Sequence, residues 1–220
     1  MQLYNYFYSS TSYRVRIALA LKQLPFDYLP INLRTLQQRT PEYLARNPAG
    51  SVPLLIEDDG FALTQSLAIL DYLEQRHPQP ALLPAEPRQR ARVLELCHAI
   101  ACDIHPVNNQ RVLRYLQQEL GLDEARKNAW YAHWIAQGLQ VVEHLLAQLR
   151  SQGHAGPYCL GTQPSWADCC LVPQVANALR MQCETEAYPL TMAVYRHCLV
   201  QPAFQQAAPM AQPDAPAQQG

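Results

Sequence analysis

The chain has 220 residues, which is enough for one large domain or for two smaller domains that share an interface. Its 17 basic and 18 acidic side chains leave a formal net charge of −1 without a basic stripe, so a nucleic-acid-binding protein is not expected. The N-terminus lacks the charged and apolar parts of a signal peptide, and no apolar run reaches the length of a membrane span. These features predict a cytoplasmic protein that does not bind membranes.

The first segments alternate between strand and helix patterns. Residues Gln2–Phe7 are rich in aromatic side chains and predict a strand. Four hydroxyl residues, Ser9–Ser12, separate this strand from a helical pattern at Arg14–Lys22. Phe26–Leu33 predicts a second strand, and Pro30 favours an edge position for it because proline cannot donate a ladder hydrogen bond.

The segments after the second strand are predicted to complete a mixed sheet with helices on its faces. The predicted order over residues 1–80 is βαβαββα, which is the order of an α/β domain. The remaining elements of this order are a short helix at Pro41–Leu44, strands at Val52–Ile56 and Phe61–Leu63 joined by a turn at Asp58–Gly60, and a helix at Gln65–Arg76.

A proline-rich segment, His77–Pro87, is the best candidate for a domain boundary. Beyond it the pattern is helical, so residues 88–206 are expected to form an all-α domain, in which Ser165 and Asp168 have capping-box spacing. Residues 207–220 are rich in Ala, Pro and Gln and are expected to form a loosely ordered tail. The helical patterns cover Arg88–His105, Val107–Leu120, Asp123–Leu149, Trp166–Arg180 and Leu190–Val200.

The seven cysteines predict free thiols in a reducing cytosol, because they contain no C-x-x-C pair and their number is odd. His and Cys at the spacing of zinc ligands are absent from the sequence, so no metal site is expected. The cysteines are Cys97, Cys102, Cys159, Cys169, Cys170, Cys183 and Cys198.

Ser9, Ser10, Thr11 and Ser12 stand where the first helix is expected to begin. Unpaired N–H groups and the helix dipole make such a position favourable for an anion, and the same field favours a thiolate. A neighbouring hydroxyl can donate a hydrogen bond to the sulfur. The alternative is that these hydroxyl residues only cap the helix.

Two further features are compatible with a peptide ligand. Pro53 opens a short apolar strand, and a cis Val52–Pro53 bond would leave the backbone of Val52 free to pair with such a ligand. Gln65 and Ser66, at the start of a helix, could hold a carboxylate. An ordinary trans proline and a simple helix cap are the alternatives.

These features, in this order, resemble the zeta class of the glutathione transferases, which includes maleylacetoacetate isomerase and the related maleylpyruvate isomerases. The resemblance covers most of the chain and implies an N-terminal thioredoxin-like domain followed by an all-helical domain. The matching motifs are SSTSYRVRIALALK, NPAGSVPLL, ALTQSLAILDYLE, HPQPALLP, CDIHPVNNQRVLRYL and ADCCLVPQVANALR.

The resemblance implies glutathione as the cofactor and assigns residues to it. The assigned sulfur contacts are Ser9, Ser10 and Thr11. Pairing with the glutathione backbone falls on Val52 with Pro53 cis, and recognition of the γ-glutamyl end falls on Gln65 and Ser66. Further contacts fall on Gln38, His105 and Asn109, although a histidine such as His105 can equally be a satisfied core residue.

The sequence departs from the class at two positions. Thr11 stands where the class usually has cysteine, as in maleylpyruvate isomerases. Tyr8 stands where the family commonly has an arginine that helps to hold a substrate carboxylate. Arg180 matches a substrate-binding arginine of the family, and Arg111 is a candidate replacement for the other charge; either is otherwise a solvated helix residue.

The implied reaction is the cis–trans isomerisation of maleylacetoacetate to fumarylacetoacetate in tyrosine catabolism, by addition of the glutathione thiolate, bond rotation and elimination. Maleylpyruvate isomerase, a general glutathione transferase and a non-catalytic interaction module remain alternatives. The resemblance also implies a homodimer.

Overall fold

The computed structural model describes residues 1–216, so the last four residues of the expected tail lie outside the described part of the chain. The chain divides into two compact units. The first contains residues 1–82 together with the chain from Leu199 onward, and the second contains Leu83–Cys198.

The first unit is built on a four-stranded mixed sheet of order β2-β1-β3-β4. β1 and β2 are parallel, whereas the β1–β3 and β3–β4 pairs are antiparallel. β2, which ends at Pro30, lies at the edge of the sheet, as the sequence predicts. The strands are β1 (Gln2–Asn5), β2 (Asp27–Pro30), β3 (Leu54–Ile56) and β4 (Ala62–Thr64), and the helices between and after them are α1 (Ser10–Leu21), α2 (Pro41–Leu44) and α3 (Ser66–Arg76).

The predicted βαβαββα order is therefore confirmed, and its core consists of the apolar faces of α1, α3 and the sheet. A buried ion pair joins the two helices, because Lys22 at the end of α1 lies 2.9 Å from Glu74 of α3. Lys22 also donates hydrogen bonds to the carbonyls of His77 and Pro80, and Glu74 accepts one from the Leu82 N–H. The segment after α3 is thereby held against both helices.

The C-terminal segment differs from the expected loose tail. Helix α9 (Pro202–Ala207) packs against α1 and buries Phe204 completely. The Nε of Arg16 donates to the Ala207 carbonyl at 3.0 Å, and the Asp214 carboxylate accepts hydrogen bonds from the Phe7 N–H, at 3.1 Å, and from the Tyr28 hydroxyl. Residues 207–216 are ordered by these few polar contacts, which the overall composition of the segment does not reveal.

The second unit is all-helical, as expected. One helical pattern, Arg88–His105, ends earlier than predicted: the α-helix stops at His98 and the backbone continues as a π-helical turn, Ala99–Ile104. Pro106 lacks an N–H group and cannot continue the pattern, so a short 3₁₀ turn follows. The α-helices of this unit are α4 (Pro87–His98), α5 (Gln110–Gln118), α6 (Glu124–Ser151), α7 (Trp166–Arg180) and α8 (Pro189–Leu199).

Helix α7 begins with the predicted capping box. The buried Asp168 carboxylate accepts hydrogen bonds from the Ser165 N–H at 2.8 Å, from its hydroxyl at 2.9 Å and from the Cys159 N–H at 2.8 Å. Over residues 1–216, none of the helices is both long enough and apolar enough to cross a membrane.

Candidate active site

The hydroxyl cluster lies at the N-terminus of α1, where β1 turns into the helix. Ser9 is the N-cap: its N–H donates to the Tyr6 carbonyl at 2.9 Å, and its Oγ accepts the Ser12 N–H at 3.2 Å. The N–H groups of Ser10 and Thr11 belong to the first turn and have no carbonyl one turn earlier in the helix to bind. No acidic residue lies in this first turn, so the positive end of the helix dipole is uncompensated there.

The hydroxyls of this turn form a directed chain that ends on the neighbouring strand. Thr11 donates to the Val52 carbonyl at 2.9 Å, and its Oγ1 lies 2.9 Å from Ser9 Oγ. Because the single Thr11 proton is used on Val52, the proton between the two hydroxyls comes from Ser9. The Val52 carbonyl, which was expected to be free for a peptide ligand, is therefore occupied by Thr11.

The Val52–Pro53 peptide bond is cis, as the resemblance implies. The residue before it is fixed by two donors, since the Ser51 carbonyl accepts hydrogen bonds of 2.6 Å from the Tyr43 hydroxyl and from Asn47 Nδ2. Burial raises the pKa of Tyr43 to about 12, so this phenol remains a donor. Among the residues that the structure describes, no acceptor is found for the Val52 N–H.

Gln65 and Ser66 lie at the N-terminus of α3. Gln65 has φ +69° and ψ +114°, a conformation that costs a non-glycine residue about 1–3 kcal/mol and that clusters at ligand sites. Its side chain does not cap the helix, so the first N–H groups of α3 are not bound by it. The buried Ser66 hydroxyl accepts a hydrogen bond of 3.3 Å from Arg14 Nη1 on α1.

Gln38 lies beside the turn that leads to Val52. A Cβ atom placed on Gly50, which has φ +56°, would come within 3.0 Å of the Gln38 carbonyl oxygen, so the two segments are in close contact. The Gln38 side chain is buried, and in the described part of the chain its Oε1 has no hydrogen-bond partner. A buried acceptor of this kind is expected to bind a donor from a ligand.

Tyr8 precedes the hydroxyl cluster and is half-buried. Its ring lies 4.1 Å, between centroids, from that of Phe7, and the Arg34 guanidinium stands 5.9 Å from the Tyr8 ring centroid. A cation therefore accompanies the tyrosine that replaces the family arginine.

The remaining predicted site residues belong to the second unit. Asn109 caps α5 by accepting the Arg111 N–H at 3.1 Å. The preceding turn is held by α6, because Asn108 Nδ2 donates to the Tyr131 carbonyl at 3.1 Å and Trp130 Nε1 donates to the Val107 carbonyl at 3.0 Å.

His105 lies at the end of the π-helical turn, and Arg180 is the last residue of α7. His105 is half-buried, and its N–H donates to the Ile100 carbonyl at 2.9 Å. Arg180, exposed at the end of α7, donates to Asn177 Oδ1 at 3.1 Å. Burial raises the pKa of Tyr131 to about 12, and the nearby Arg180 guanidinium opposes that rise.

The structure adds two buried arginines of α1, Arg14 and Arg16, that the sequence analysis did not single out. Arg16 binds the Asn5 side chain and the carbonyls of Tyr6 and Phe7, and so fixes the end of β1 just before Ser9. Burial lowers the pKa of Arg16 to about 10. The available signal was the presence of two arginines within the RVRIALAL part of the helix, whose other residues are all apolar.

Comparisons with known proteins agree with this geometry. Residues 3–81 match the family model of the glutathione S-transferase N-terminal domain, and residues 128–197 match that of the C-terminal domain. A maleylacetoacetate isomerase of Pseudomonas aeruginosa is 47% identical over 219 residues, which are 99% of this chain and 100% of that protein.

Two solved structures have the same fold along their full length. The holo structure of maleylpyruvate isomerase, described as a bacterial zeta-class glutathione S-transferase, has a TM-score of 0.94 at 44% identity and covers 98% of this chain and 100% of its own. A maleylacetoacetate isomerase of Methylobacterium extorquens with bound malonate and glutathione has a TM-score of 0.93 at 37% identity. The match covers 99% of this chain and 100% of that one. The chain thus belongs to the glutathione S-transferase family and, within it, to the zeta class.

Proposed function

We propose that this chain is a glutathione-dependent cis–trans isomerase that converts maleylacetoacetate to fumarylacetoacetate in tyrosine catabolism. The observation that carries the proposal is the Ser9 turn, where a capping hydroxyl and uncompensated helix N–H groups converge in a member of this family. The 47% identity to a maleylacetoacetate isomerase supports the choice of substrate.

The residues of the first unit fit a tripeptide. Val52 offers an N–H donor and Gln38 a buried acceptor, and neither has a partner within residues 1–216. Such groups pair with the backbone of an extended peptide. We assign the γ-glutamyl end of glutathione to Gln65 and Ser66, and the sulfur to the turn of Ser9, Ser10 and Thr11. Further cofactor contacts are assigned to His105 and Asn109.

When bound, glutathione supplies a thiolate that adds to the double bond of the substrate, converts it briefly to a single bond that can rotate, and leaves again. The Ser9 turn stabilises negative charge on sulfur, because its hydroxyl and the first N–H groups of α1 are donors at the positive end of a helix dipole. Arg180 and Arg111 orient the carboxylates of the substrate, and Tyr8 with its stacked Arg34 borders the sulfur site.

Maleylpyruvate isomerase is the second candidate, and Thr11 in place of cysteine favours it. One assay separates the candidates: turnover of maleylacetoacetate and of maleylpyruvate is measured side by side, with and without glutathione, and conjugation of an aryl halide is measured in parallel. We expect glutathione-dependent isomerisation with maleylacetoacetate as the better substrate. Faster turnover of maleylpyruvate would support the second candidate, and conjugation alone would indicate a general transferase.

The alternative that the chain is a non-catalytic interaction module is tested by measuring whether it binds glutathione. We expect calorimetric titration to detect glutathione binding, and its absence would favour the module. The Ser9, Gln65 and Ser66 side chains argue for binding, since an interaction module has no need of an uncapped, strained helix start at Gln65.

We also propose that the chain forms a homodimer. Phe61, beside the edge strand β4, exposes 46% of its surface and stacks on Tyr72 of α3 with ring centroids 5.2 Å apart, which leaves an apolar patch that a second copy can cover. Light scattering is expected to give twice the chain mass, and Phe61→Glu is expected to lower it. A wild-type monomer would contradict this proposal.

A cytoplasmic location is the corresponding proposal for the compartment. All seven cysteines are free thiols, which is typical of proteins in reducing compartments. Cell fractionation with an antibody against the chain tests the location.

A further inference from the structure

Arg14 is almost completely buried and yet incompletely paired. Its side chain is 1% exposed in the middle of α1, and its one hydrogen bond is the 3.3 Å contact from Nη1 to Ser66 Oγ. Within residues 1–216 its Nε and Nη2 have no partner. A buried guanidinium is a permanent cation with five donors, so it is stabilised only where acceptors or an anion face it.

Arg16, two residues further along the same helix, provides a contrast. Each of its nitrogens has an acceptor, since Nε binds Ala207, Nη1 binds Asn5 and Tyr6, and Nη2 binds Phe7. Arg16 is therefore fully paired and structural, whereas the positive charge of Arg14 is met by a single acceptor, Ser66, among the described residues.

The start of α3 is the place where the charge of Arg14 can act on an anionic ligand, because Arg14 contacts Ser66 there. Ser66 is the first residue of this eleven-residue helix, no acidic side chain lies in the first turn, and the side chain of Gln65 does not cap it. The helix dipole and the guanidinium thus act in the same direction on an anion that binds at Ser66.

We propose that Arg14 is a positioning residue for glutathione, acting through Ser66 on the α-carboxylate of the γ-glutamyl group. A serine hydroxyl has one proton and two lone pairs. Because Arg14 donates to the oxygen, the Ser66 proton points away from the guanidinium and is available to the carboxylate. The charge of Arg14 behind Ser66 strengthens that hydrogen bond. The inference rests on the proposed role of Ser66.

The test compares two ligands that differ only in the group concerned. Glutathione and 4-aminobutanoyl-cysteinylglycine, which lacks the γ-glutamyl α-carboxylate, are titrated into wild type, Arg14→Met, Arg14→Lys and Ser66→Ala. The exposed Arg76→Met, at the other end of α3, is the matched control. We expect Arg14→Met to weaken glutathione binding about tenfold or more, as for hydrogen bonds to charged groups, and to leave binding of the truncated ligand within about twofold.

A second readout is the coupling between the two residues. The double variant Arg14→Met/Ser66→Ala is expected to lose less affinity for glutathione than the product of the single losses, because both changes act on one carboxylate contact. If Arg14→Met does not fold, the affinities of Arg14→Lys for the same two ligands are compared instead. Lysine retains the charge but not the reach of the planar guanidinium, so glutathione binding is expected to weaken more than binding of the truncated ligand.

The outcomes separate this inference from the assignment on which it depends. Equal weakening of both ligands by the Arg14 variants would show that Arg14 only supports the fold and would overturn the inference. A Ser66→Ala variant with wild-type affinity for glutathione would remove the proposed role of Ser66 as well. A weakened Ser66→Ala with unaffected Arg14 variants would overturn the role of Arg14 alone.

Discussion

At the scale of single residues, the three adjacent hydroxyl residues have different surroundings. The Thr11 hydroxyl donates its proton to the Val52 carbonyl. The Ser9 oxygen accepts the Ser12 N–H, and the Ser9 hydroxyl proton points toward Thr11. A hydroxyl that accepts a hydrogen bond is a better donor. Rotation of the Ser9 hydroxyl toward a sulfur leaves the Thr11–Val52 bond intact, so Ser9 is our choice for the sulfur donor.

We predict that Ser9→Ala lowers isomerase turnover by about 100-fold or more, because a positioned donor to developing charge is lost. The lost N-cap costs about 1 kcal/mol of stability, so the protein stays folded. Turnover and the thiolate absorbance of bound glutathione against pH are the measurements, with Thr11→Ser as the control that keeps the hydrogen bond to Val52. Full activity of Ser9→Ala would assign the donor role to Ser10 or Thr11.

Arg180 is exposed at the end of α7, where its guanidinium donates to Asn177 Oδ1 of the same helix, and it matches a substrate-binding arginine of the family. We predict that Arg180→Ala raises the KM for the dicarboxylate substrate by more than it raises the KM for glutathione. Steady-state kinetics with each substrate varied in turn measure both constants. Equal changes in the two would argue against a dedicated substrate contact.

The sequence predicted the positions of the candidate ligand groups better than their contacts. The hydroxyl cluster, the Val52–Pro53 bond and the start of α3 were recognisable because each is a local pattern. The Thr11 bond to Val52 and the Arg14 bond to Ser66 join residues far apart in the chain. They depend on how α1 packs against its neighbours, which no local pattern encodes.

At the scale of elements, the sheet and most helices followed from periodicity, and α7 ends where its pattern ends. Two elements did not follow. The π-helical turn Ala99–Ile104 adds one residue to a turn, and it lies where Gly138 of α6 lets Ile104 approach so closely that a Cβ would collide with it. The C-terminal segment was expected to be loosely ordered because of its composition. Composition cannot show that one carboxylate, that of Asp214, binds two groups of the first unit.

Asp214, which lies 207 residues from Phe7 in sequence, is expected to stabilise the turn at Ser9 through its hydrogen bond to the Phe7 N–H. We predict that Asp214→Ala lowers stability by about 1–3 kcal/mol, because the Phe7 N–H loses its acceptor two residues before Ser9. Turnover is expected to fall as the turn loosens. Thermal unfolding and steady-state kinetics are measured together, with Glu184→Ala as the control at an exposed carboxylate. Unchanged stability would mean that residues 207–216 only lie on the surface.

At the scale of the whole molecule, every cysteine and every tryptophan lies in the second unit, and none lies in the first. Five of the cysteines are buried, Cys183 is half-buried and Cys102 is exposed. Burial raises the pKa of the Cys97, Cys159 and Cys183 thiols, which lowers their thiolate fraction at neutral pH. Thiol reactivity and tryptophan fluorescence therefore report on the second unit alone.

We predict that an aromatic disulfide reagent labels Cys102 rapidly and Cys183 more slowly in the native protein, and all seven thiols in denaturant. Absorbance at neutral pH counts the thiols, and glutathione must be absent because it reacts as well. Cys102→Ser should abolish the rapid phase. Rapid labelling of the five buried cysteines in the native state would contradict the packing of this unit.

The docking of α9 on α1 has a consequence during synthesis of the chain. The hydrogen bond from Tyr13 to Phe204 spans 191 residues, so the N-terminal helix leaves the ribosome long before the segment that covers it. At about 5–20 residues per second this delay is roughly 10–40 s. During that time the future glutathione site is part of a nascent polypeptide with an uncovered apolar surface. Termination of translation before Pro202 would therefore release a chain whose first unit lacks α9 and leaves the apolar surface of α1 uncovered. Chaperones and proteases bind such chains.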